Sequence, residues 1–205
     1  ELEVAVRAAD TMSILEDIYL PYKPKRKTRA SIAREKGLQP LAESLLAQSS
    51  TDVEATALAF VNTELGVKNT EEALAGARDI IAETIAEDAE VRALVRKIFV
   101  DKGKFVSRLI PGKEEAGQKY KDYFEWSESL KTAPSHRVLA MRRGEKEELL
   151  YLDIEVDEDT VIPKIDSLYI KGKNEAAKQV ELALFDGYKR LLKPSMETEI
   201  RVLTR

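Results

Sequence analysis

Apolar residues recur every three or four positions along most of this 205-residue chain, which is the spacing of one face of an α-helix. The clearest amphipathic helix begins after Asp88, which can cap its first turn, and ends at Gly103. Its apolar face consists of Val91, Leu94, Val95, Ile98 and Phe99. The pattern predicts a mainly α, multihelical fold.

Capping residues and helix breakers divide the rest of the chain into further helices. The first, over 2–20, carries one apolar stripe and is stopped by Pro21. The stripe consists of Ala8, Met12, Leu15 and Tyr19. The other predicted helices are 31–36, 40–47, 53–62, 69–87, 113–124, 136–143, 160–170 and 174–192. Their predicted N-terminal caps are Ser31, Asp52, Asn69 (in a capping box with Glu72), Ser135 and Asn174. Gly37 and Gly144 are expected to end the helices that precede them, and Pro194 to break the last one.

The pattern changes after Gly103. Residues 150–156 alternate between apolar and polar side chains, which is typical of a strand with one buried face, and 104–110 is a second candidate strand. Residues 126–134 are predicted to form a loop. The sequence therefore predicts a minor β element in the C-terminal half, with an N-terminal multihelical region at 1–103 and a central region of helices and short strands at 104–205.

Composition narrows the function classes. Hydrophobic residues make up 43% and charged residues 34% of the chain, as in a helix-rich globular protein. The absence of cysteine excludes disulfides and thiolate chemistry, and a single histidine, His136, disfavours a histidine-based metal site. No apolar run is long enough to span a membrane. We expect a cytoplasmic protein, and the chain's start at Glu1 suggests part of a longer one.

One segment, 21–37, is strongly basic in a chain whose net charge is −4. It holds seven cations and one acid, Glu35. The cations are Lys23, Lys25, Arg26, Lys27, Arg29, Arg34 and Lys36. Because cations bind phosphates and the flanking Tyr19 and Tyr22 can stack on bases, the segment predicts contact with the phosphate backbone of RNA or DNA. The alternative is a solvated basic loop that pairs with acids of the same protein.

Ala33 and Gly37 have the Ala-x-x-x-Gly spacing of a helix-turn-helix corner. The match is partial, because Lys36 occupies a position where a buried apolar residue is expected and Pro40 restricts the second helix. The spacing predicts a helix-turn-helix-like corner, and an ordinary corner between two helices is the alternative.

Other clusters favour structural roles. The cations Arg137, Arg142, Arg143 and Lys146 accompany a short helix. Arg142 and Arg143 lie at its C-terminal end, where positive charge interacts favourably with the helix dipole. The acids at 153–159 are placed as on the solvent-facing side of a strand, and their spacing is not that of a calcium-binding loop. The sequence also contains no nucleotide-binding or hydrolase motif. We therefore expect no enzymatic activity, no catalytic residue, no metal and no cofactor.

Three segments, in order along the chain, resemble one family. Residues 15–42, which contain Leu-Pro-Tyr-Lys-Pro-Lys-Arg-Lys and Gly-Leu-Gln-Pro-Leu, resemble the signature block of Tex, a family of bacterial transcription accessory proteins. Residues 112–124 and 134–144 resemble the next two blocks of that family. Glu148 departs from the pattern, because a glycine is expected near the end of the third block.

The resemblance implies a multidomain parent with a helical N-terminal region, an RNase H-like domain, helix-hairpin-helix elements and an OB-fold RNA-binding domain. This chain would be the N-terminal to central helical region that precedes the RNase H-like domain. The predicted function is a nucleic-acid-binding scaffold module of a Tex-like transcription accessory protein. Its expected partners are RNA or DNA, the transcription machinery and the parent's later domains, and not a membrane. The alternative is a protein-interaction or interdomain docking module without nucleic-acid contact.

Overall fold

A computed structural model describes residues 1–24, 26–49 and 51–204. It confirms a mainly α fold with a small β element. The helices of the described residues are α1 (Leu2–Arg7), α2 (Met12–Tyr19), α3 (Arg29–Glu35), α4 (Gln39–Ala47), α5 (Val53–Leu58), α6 (Thr70–Glu87), α7 (Ala89–Lys102), α8 (Ser135–Lys146), α9 (Glu158–Tyr169), α10 (Glu175–Gly187) and α11 (Lys193–Leu203). The strands are β1 (Lys104–Leu109), β2 (Glu125–Ser129) and β3 (Leu150–Glu155).

The chain divides into two compact units. Unit 1 comprises residues 1–94 and 162–195, and unit 2 comprises 95–161 and 196–205. The division of the chain at 103/104 that the sequence suggests stays a prediction.

Unit 1 is organised around α6, against which α3, α4 and α10 pack. Apolar residues of α6 lie in the core, with Ile80, Ile81 and Ile85 almost completely buried. Gly187 at the end of α10 lies directly against the backbone of Ala82, so that a Cβ atom there would come within 2.8 Å of the Ala82 carbonyl oxygen. This close backbone approach sets the spacing of the two helices.

Unit 2 contains the antiparallel sheet, in the strand order β2-β1-β3. The predicted strand at 150–156 is confirmed by β3, whose side chains alternate between buried and exposed. Helix α8 packs on β3, and Gly144 gives Leu150 the space it needs, since a Cβ atom at 144 would lie 2.4 Å from Leu150 Cδ1. The sequence suggested that Gly144 ends this helix. Gly144 instead lies inside α8, where its missing side chain allows close packing.

Most predicted caps are confirmed. Asp52, Asn69 and Asn174 each accept a hydrogen bond from a backbone N–H in the first turn of α5, α6 and α10. Asp88 does the same for α7, where its Oδ1 accepts from the N–H groups of Glu90 and Val91. Such caps are short-range features, and this explains why sequence alone located them.

The N-terminal prediction is wrong in one respect. A single helix over 2–20 is replaced by α1 and α2, which are separated at Thr11, the N-cap of α2. The predicted stripe does not form a buried face, since Met12 is 69% exposed and Tyr19 is 46% exposed. The side chain of α2 that is buried is instead the polar Asp17.

Four further predictions need correction. Thr28, not Ser31, is the N-cap of α3, and Ser31 supplies the reciprocal bond of the capping box. Residues 113–124 form turns and a 3₁₀ segment, Gln118–Tyr123, in place of a longer helix. The predicted loop at 126–134 begins with most of the edge strand β2, Glu125–Ser129. The N-cap of α8 is Pro134, and Ser135 is the first residue of the helix.

Pro194 does not interrupt the chain's helical path. A π-helical turn, Tyr188–Leu192, follows α10, and α11 begins directly afterwards with Pro194 in its first turn. The proline stands directly after the π-helical turn, where the N–H of Lys193 bonds to the carbonyl of Tyr188 five positions back and the hydrogen-bond pattern of the helix is shifted.

Glu148, the position where the family pattern suggests glycine, has a left-handed backbone with φ of 56°. It lies just after α8, where the N–H of Leu149 bonds to the carbonyl of Gly144. A residue with a Cβ atom is strained in this region, whereas glycine is not.

Replacing Glu148 with glycine is expected to raise the free energy of unfolding by about 0.5–1 kcal/mol, because relief of the left-handed strain exceeds the added entropy of the unfolded chain. Urea unfolding of the two proteins measures the difference. The matched control is Lys146→Gly, at an exposed helical position, which should lower stability by about the helix propensity of glycine, roughly 1 kcal/mol. If both changes lower the free energy of unfolding equally, the backbone at Glu148 is not strained.

Candidate nucleic-acid interface

The basic segment runs from a 3₁₀ turn, Leu20–Tyr22, into α3. Between them, the side chains of Lys23, Arg26 and Lys27 are exposed, and Tyr22 is 63% exposed. Lys25 lies outside the described residues. Within the described part of the chain, neither Lys23 nor Arg26 forms an ion pair with an acid. The structure thus brings three cations of the predicted site together on one exposed, non-helical stretch.

Lys27 has one acidic neighbour in the described structure. Its Nζ lies 3.9 Å from Glu35 Oε2, and both side chains are more than two-thirds exposed. An exposed pair at this distance contributes little to stability. Lys27 therefore stays available to an incoming phosphate.

Arg29, at the start of α3, is exposed and lies near Asp79 of α6. Burial raises the pKa of the Asp79 carboxyl above its ordinary value, against the positive charges of Arg190 and Arg29, which lower it. The two residues also line a small cavity of about 270 Å³, together with Arg78 and Leu182. Arg29 therefore connects the basic segment to the surface formed by α6 and α10.

Arg34 differs from the other cations because it is bound internally. Its Nη1 lies 2.9 Å from Oε1 of Glu83, a carboxylate of α6 that is 6% exposed. The other carboxylate oxygen accepts a hydrogen bond from Thr28 Oγ1 at 2.9 Å. Glu83 thus fixes both ends of α3, and contact of Arg34 with phosphate stays a prediction that competes with this ion pair.

The predicted corner lies at Gly37, whose φ is 77°. The N–H of Leu38 bonds to the carbonyl of Ala33, and both residues are buried. Lys36 is half-buried and its side chain lies beside Gly66. This arrangement ends α3 and redirects the chain into α4. That the corner reads DNA stays a prediction.

Two of the four cations that accompany α8 have internal partners. Arg137 pairs with Glu128 at 2.7 Å and lies over the ring of Trp126. Arg142 donates to the carbonyl of Arg201 and to Thr204 Oγ1, each at 2.7 Å. These contacts agree with a structural role for Arg137 and Arg142, whereas Arg143 and Lys146 are exposed.

Among residues 1–24, 26–49 and 51–204, no group of three or more histidine, aspartate or glutamate side chains could hold a metal ion. In the same residues, no helix has both the length and the apolar character needed to cross a membrane.

Sequence reasoning missed the acids that position the basic segment. Glu83 and Asp79 lie in α6, and Glu83 is 49 residues away from Arg34 along the chain. No local signal marks such pairs, since α6 presents several acids with similar neighbours. Their role follows only from the packing of α3 on α6.

Comparison with known proteins decides the family. The family model described as "Tex central region-like" matches residues 48–199, about three-quarters of the chain. The chain belongs to the Tex family. The predicted family is therefore confirmed, and the matched range includes the second and third blocks, 112–124 and 134–144.

Individual Tex relatives agree with this assignment. "Protein tex" of Bordetella pertussis is 43% identical over 78% of this chain and 20% of its own length. "Protein YhgF" of Escherichia coli is 46% identical over 77% of this chain and 20% of its own length. "Transcriptional accessory protein Tex" of Neisseria gonorrhoeae is 43% identical over 78% of this chain and 21% of its own length. The chain spans about a fifth of the length of these curated relatives.

Proposed function

We propose that this Tex central region is a nucleic-acid-binding helical module of a transcription accessory protein, and that it acts by binding, without catalytic chemistry. The observation that carries the proposal is the exposed stretch of Lys23, Arg26 and Lys27 between two folded elements. Cations placed in this way can follow a phosphate backbone without first breaking a strong internal ion pair.

Three further points support the proposal. Tyr22 adjoins the cations and exposes a ring on which a base can stack. A relative is named a transcriptional accessory protein, and proteins that act in transcription work close to RNA and DNA. The C-terminal end of the stretch is fixed where Thr28 bonds to Glu83, and this limits the entropy that binding must remove.

The test is a titration of labelled single-stranded and double-stranded RNA and DNA at several salt concentrations. The variant K23E/R26E/K27E should bind at least about tenfold more weakly, and its salt slope should fall by roughly 0.7–0.9 for each lost phosphate contact. Fluorescence anisotropy gives both quantities. Stability should stay unchanged, because the three side chains are exposed.

A matched control separates local contact from net charge. The variant K164E/K171E/K173E changes the charge equally at three other exposed lysines of unit 1. It should retain most of the affinity and the salt slope. If both variants weaken binding equally, the basic stretch is not the contact, and if the wild-type protein binds no nucleic acid at low salt, the proposal fails.

A second candidate is an interdomain or protein docking module. It is favoured by the apolar exposure of α1 and α2, where Val4 is 72% and Met12 is 69% exposed. Helix α1 contributes no buried residue. Exposed apolar side chains on paired helices are typical of a surface that another protein covers. Absence of nucleic-acid binding in the titration would favour this second function.

A further inference from the structure

Helix α10 exposes an apolar face that the core of unit 1 does not use. Its buried side holds Val180, Ala183 and Leu184, with Gly187 at the end. On the opposite side, Leu182 is 57% exposed and Phe185 is 47% exposed. These two residues lie three positions apart and therefore share one helical face. Together they form a small apolar patch on the surface of α10.

Cations flank this face. Lys189 Nζ lies 5.2 Å from the centroid of the Phe185 ring, and Lys178 is exposed one turn before Leu182. Two acids of α10 lie near the ring: Asp186 is engaged by Arg190, with Oδ2 and Nη2 2.8 Å apart, and Glu181 is exposed one turn before Phe185. The cation that lies directly against the ring is Lys189, and a ring with a cation beside it suits a ligand that is both planar and anionic.

The face is continuous with the basic segment. Leu182 and Arg29 line the same cavity of about 270 Å³, and Arg29 follows Lys27 by two positions. A strand whose phosphates contact the basic segment can therefore reach α10 along this surface. Phe185 lies one turn beyond Leu182 and is placed to meet a base of that strand.

We propose that Phe185 is a base-stacking platform for single-stranded nucleic acid, with Arg29 and Lys189 contacting the flanking phosphates. The proposal rests on the function proposed above and adds a preference to it. Bases of a duplex are already stacked on one another, so an isolated ring on a helix can take only an unpaired base. Lys189 against the ring and Arg29 beside the adjoining cavity favour this ligand over an apolar peptide.

The experiment compares Phe185→Leu with Phe185→Tyr, using labelled single strands of about 12 nucleotides, uridine or thymidine, and a duplex of the same length. Phe185→Leu keeps an apolar side chain but removes the ring. It should weaken single-strand binding by about 5- to 100-fold and leave duplex binding within about twofold, whereas Phe185→Tyr should retain both affinities. Because Phe185 is exposed, thermal unfolding should show that all variants fold.

The outcomes separate the two proposals. If the wild-type protein binds and K23E/R26E/K27E does not, but Phe185→Leu binds single strands like wild type, the stacking platform is refuted and the proposed function stands. Equal weakening of single-strand and duplex binding by Phe185→Leu also refutes the platform. If Phe185→Leu instead abolishes binding of a protein partner and spares nucleic acid, α10 is a protein-docking face and the proposal is overturned. No binding by the wild-type protein refutes the proposed function itself.

Discussion

Replacement of Gly187 by alanine is expected to lower the free energy of unfolding by about 2–3 kcal/mol, as overpacking of a closely packed interior does. The added Cβ would lie 2.8 Å from the carbonyl oxygen, 3.1 Å from Cα and 3.2 Å from the carbonyl carbon of Ala82. All three are backbone atoms, so no side-chain rotation relieves the contact. Helices α6 and α10 must move apart, and the residues packed between them lose contact.

Urea or thermal unfolding measures this effect, and Gly172→Ala is its control. A Cβ atom at Gly172 meets nothing within 4 Å, and its φ is not in the left-handed region. The control change should therefore be neutral or stabilise slightly, by up to about 1 kcal/mol, through the unfolded chain. If both changes have the same small effect, the helices are not held at the distance that Gly187 sets.

The second large effect is expected at Arg34. Its replacement by methionine removes the guanidinium but keeps the stem, and leaves the buried Glu83 carboxylate without this partner. We expect a loss of about 2 kcal/mol, because the Glu83 carboxylate is buried and loses one of its partners, while the 40% exposure of the Arg34 side chain keeps the loss below that of a fully buried pair. Chemical unfolding gives the loss directly.

A double-mutant cycle tests the assignment of that loss to the Arg34–Glu83 pair. The combined change R34M/E83Q should cost clearly less than the sum of the single changes, since the neutral amide no longer needs a cation. Arg26→Met, at an exposed position of the same segment, should alter stability by less than about 0.5 kcal/mol. Additive losses in the cycle would show that the two residues do not interact.

These changes also separate two kinds of cation within one basic segment. Exposed residues such as Arg26 should affect affinity without affecting stability. Arg34 should affect stability first, since its guanidinium bonds to Glu83 and its Nε to Gln39. The sequence placed all seven cations in one candidate site, and the structure assigns them different surroundings.

Parts of the fold follow from local signals in the sequence. Helix α7 was predicted by its apolar face and by Asp88, and β3 by its alternation, because both features are visible within a few residues. The family resemblance was likewise visible in three sequence blocks. Short-range caps and periodic burial leave a direct imprint on the residue order.

Other parts depend on distant residues and could not be predicted. Strand β2 is short and polar, and it is a strand because β1 pairs with it. Asp17 is buried because Arg92, 75 residues away, bonds to it at 2.5 Å. Likewise, Phe185 was assigned to no site, because a single aromatic residue on a long helix resembles any core residue until the packing shows which side is covered.

The discontinuity of unit 1 has a consequence for synthesis on the ribosome. Its central contact joins α6 to α10, yet α10 is made only after the whole of 95–161. At roughly 5–20 residues per second, α6 must wait several seconds for its partner. During that interval the part of the α6 surface that α10 will cover is exposed to solvent and to chaperones. The nascent chain is therefore most vulnerable to misassembly before residues 175–187 emerge.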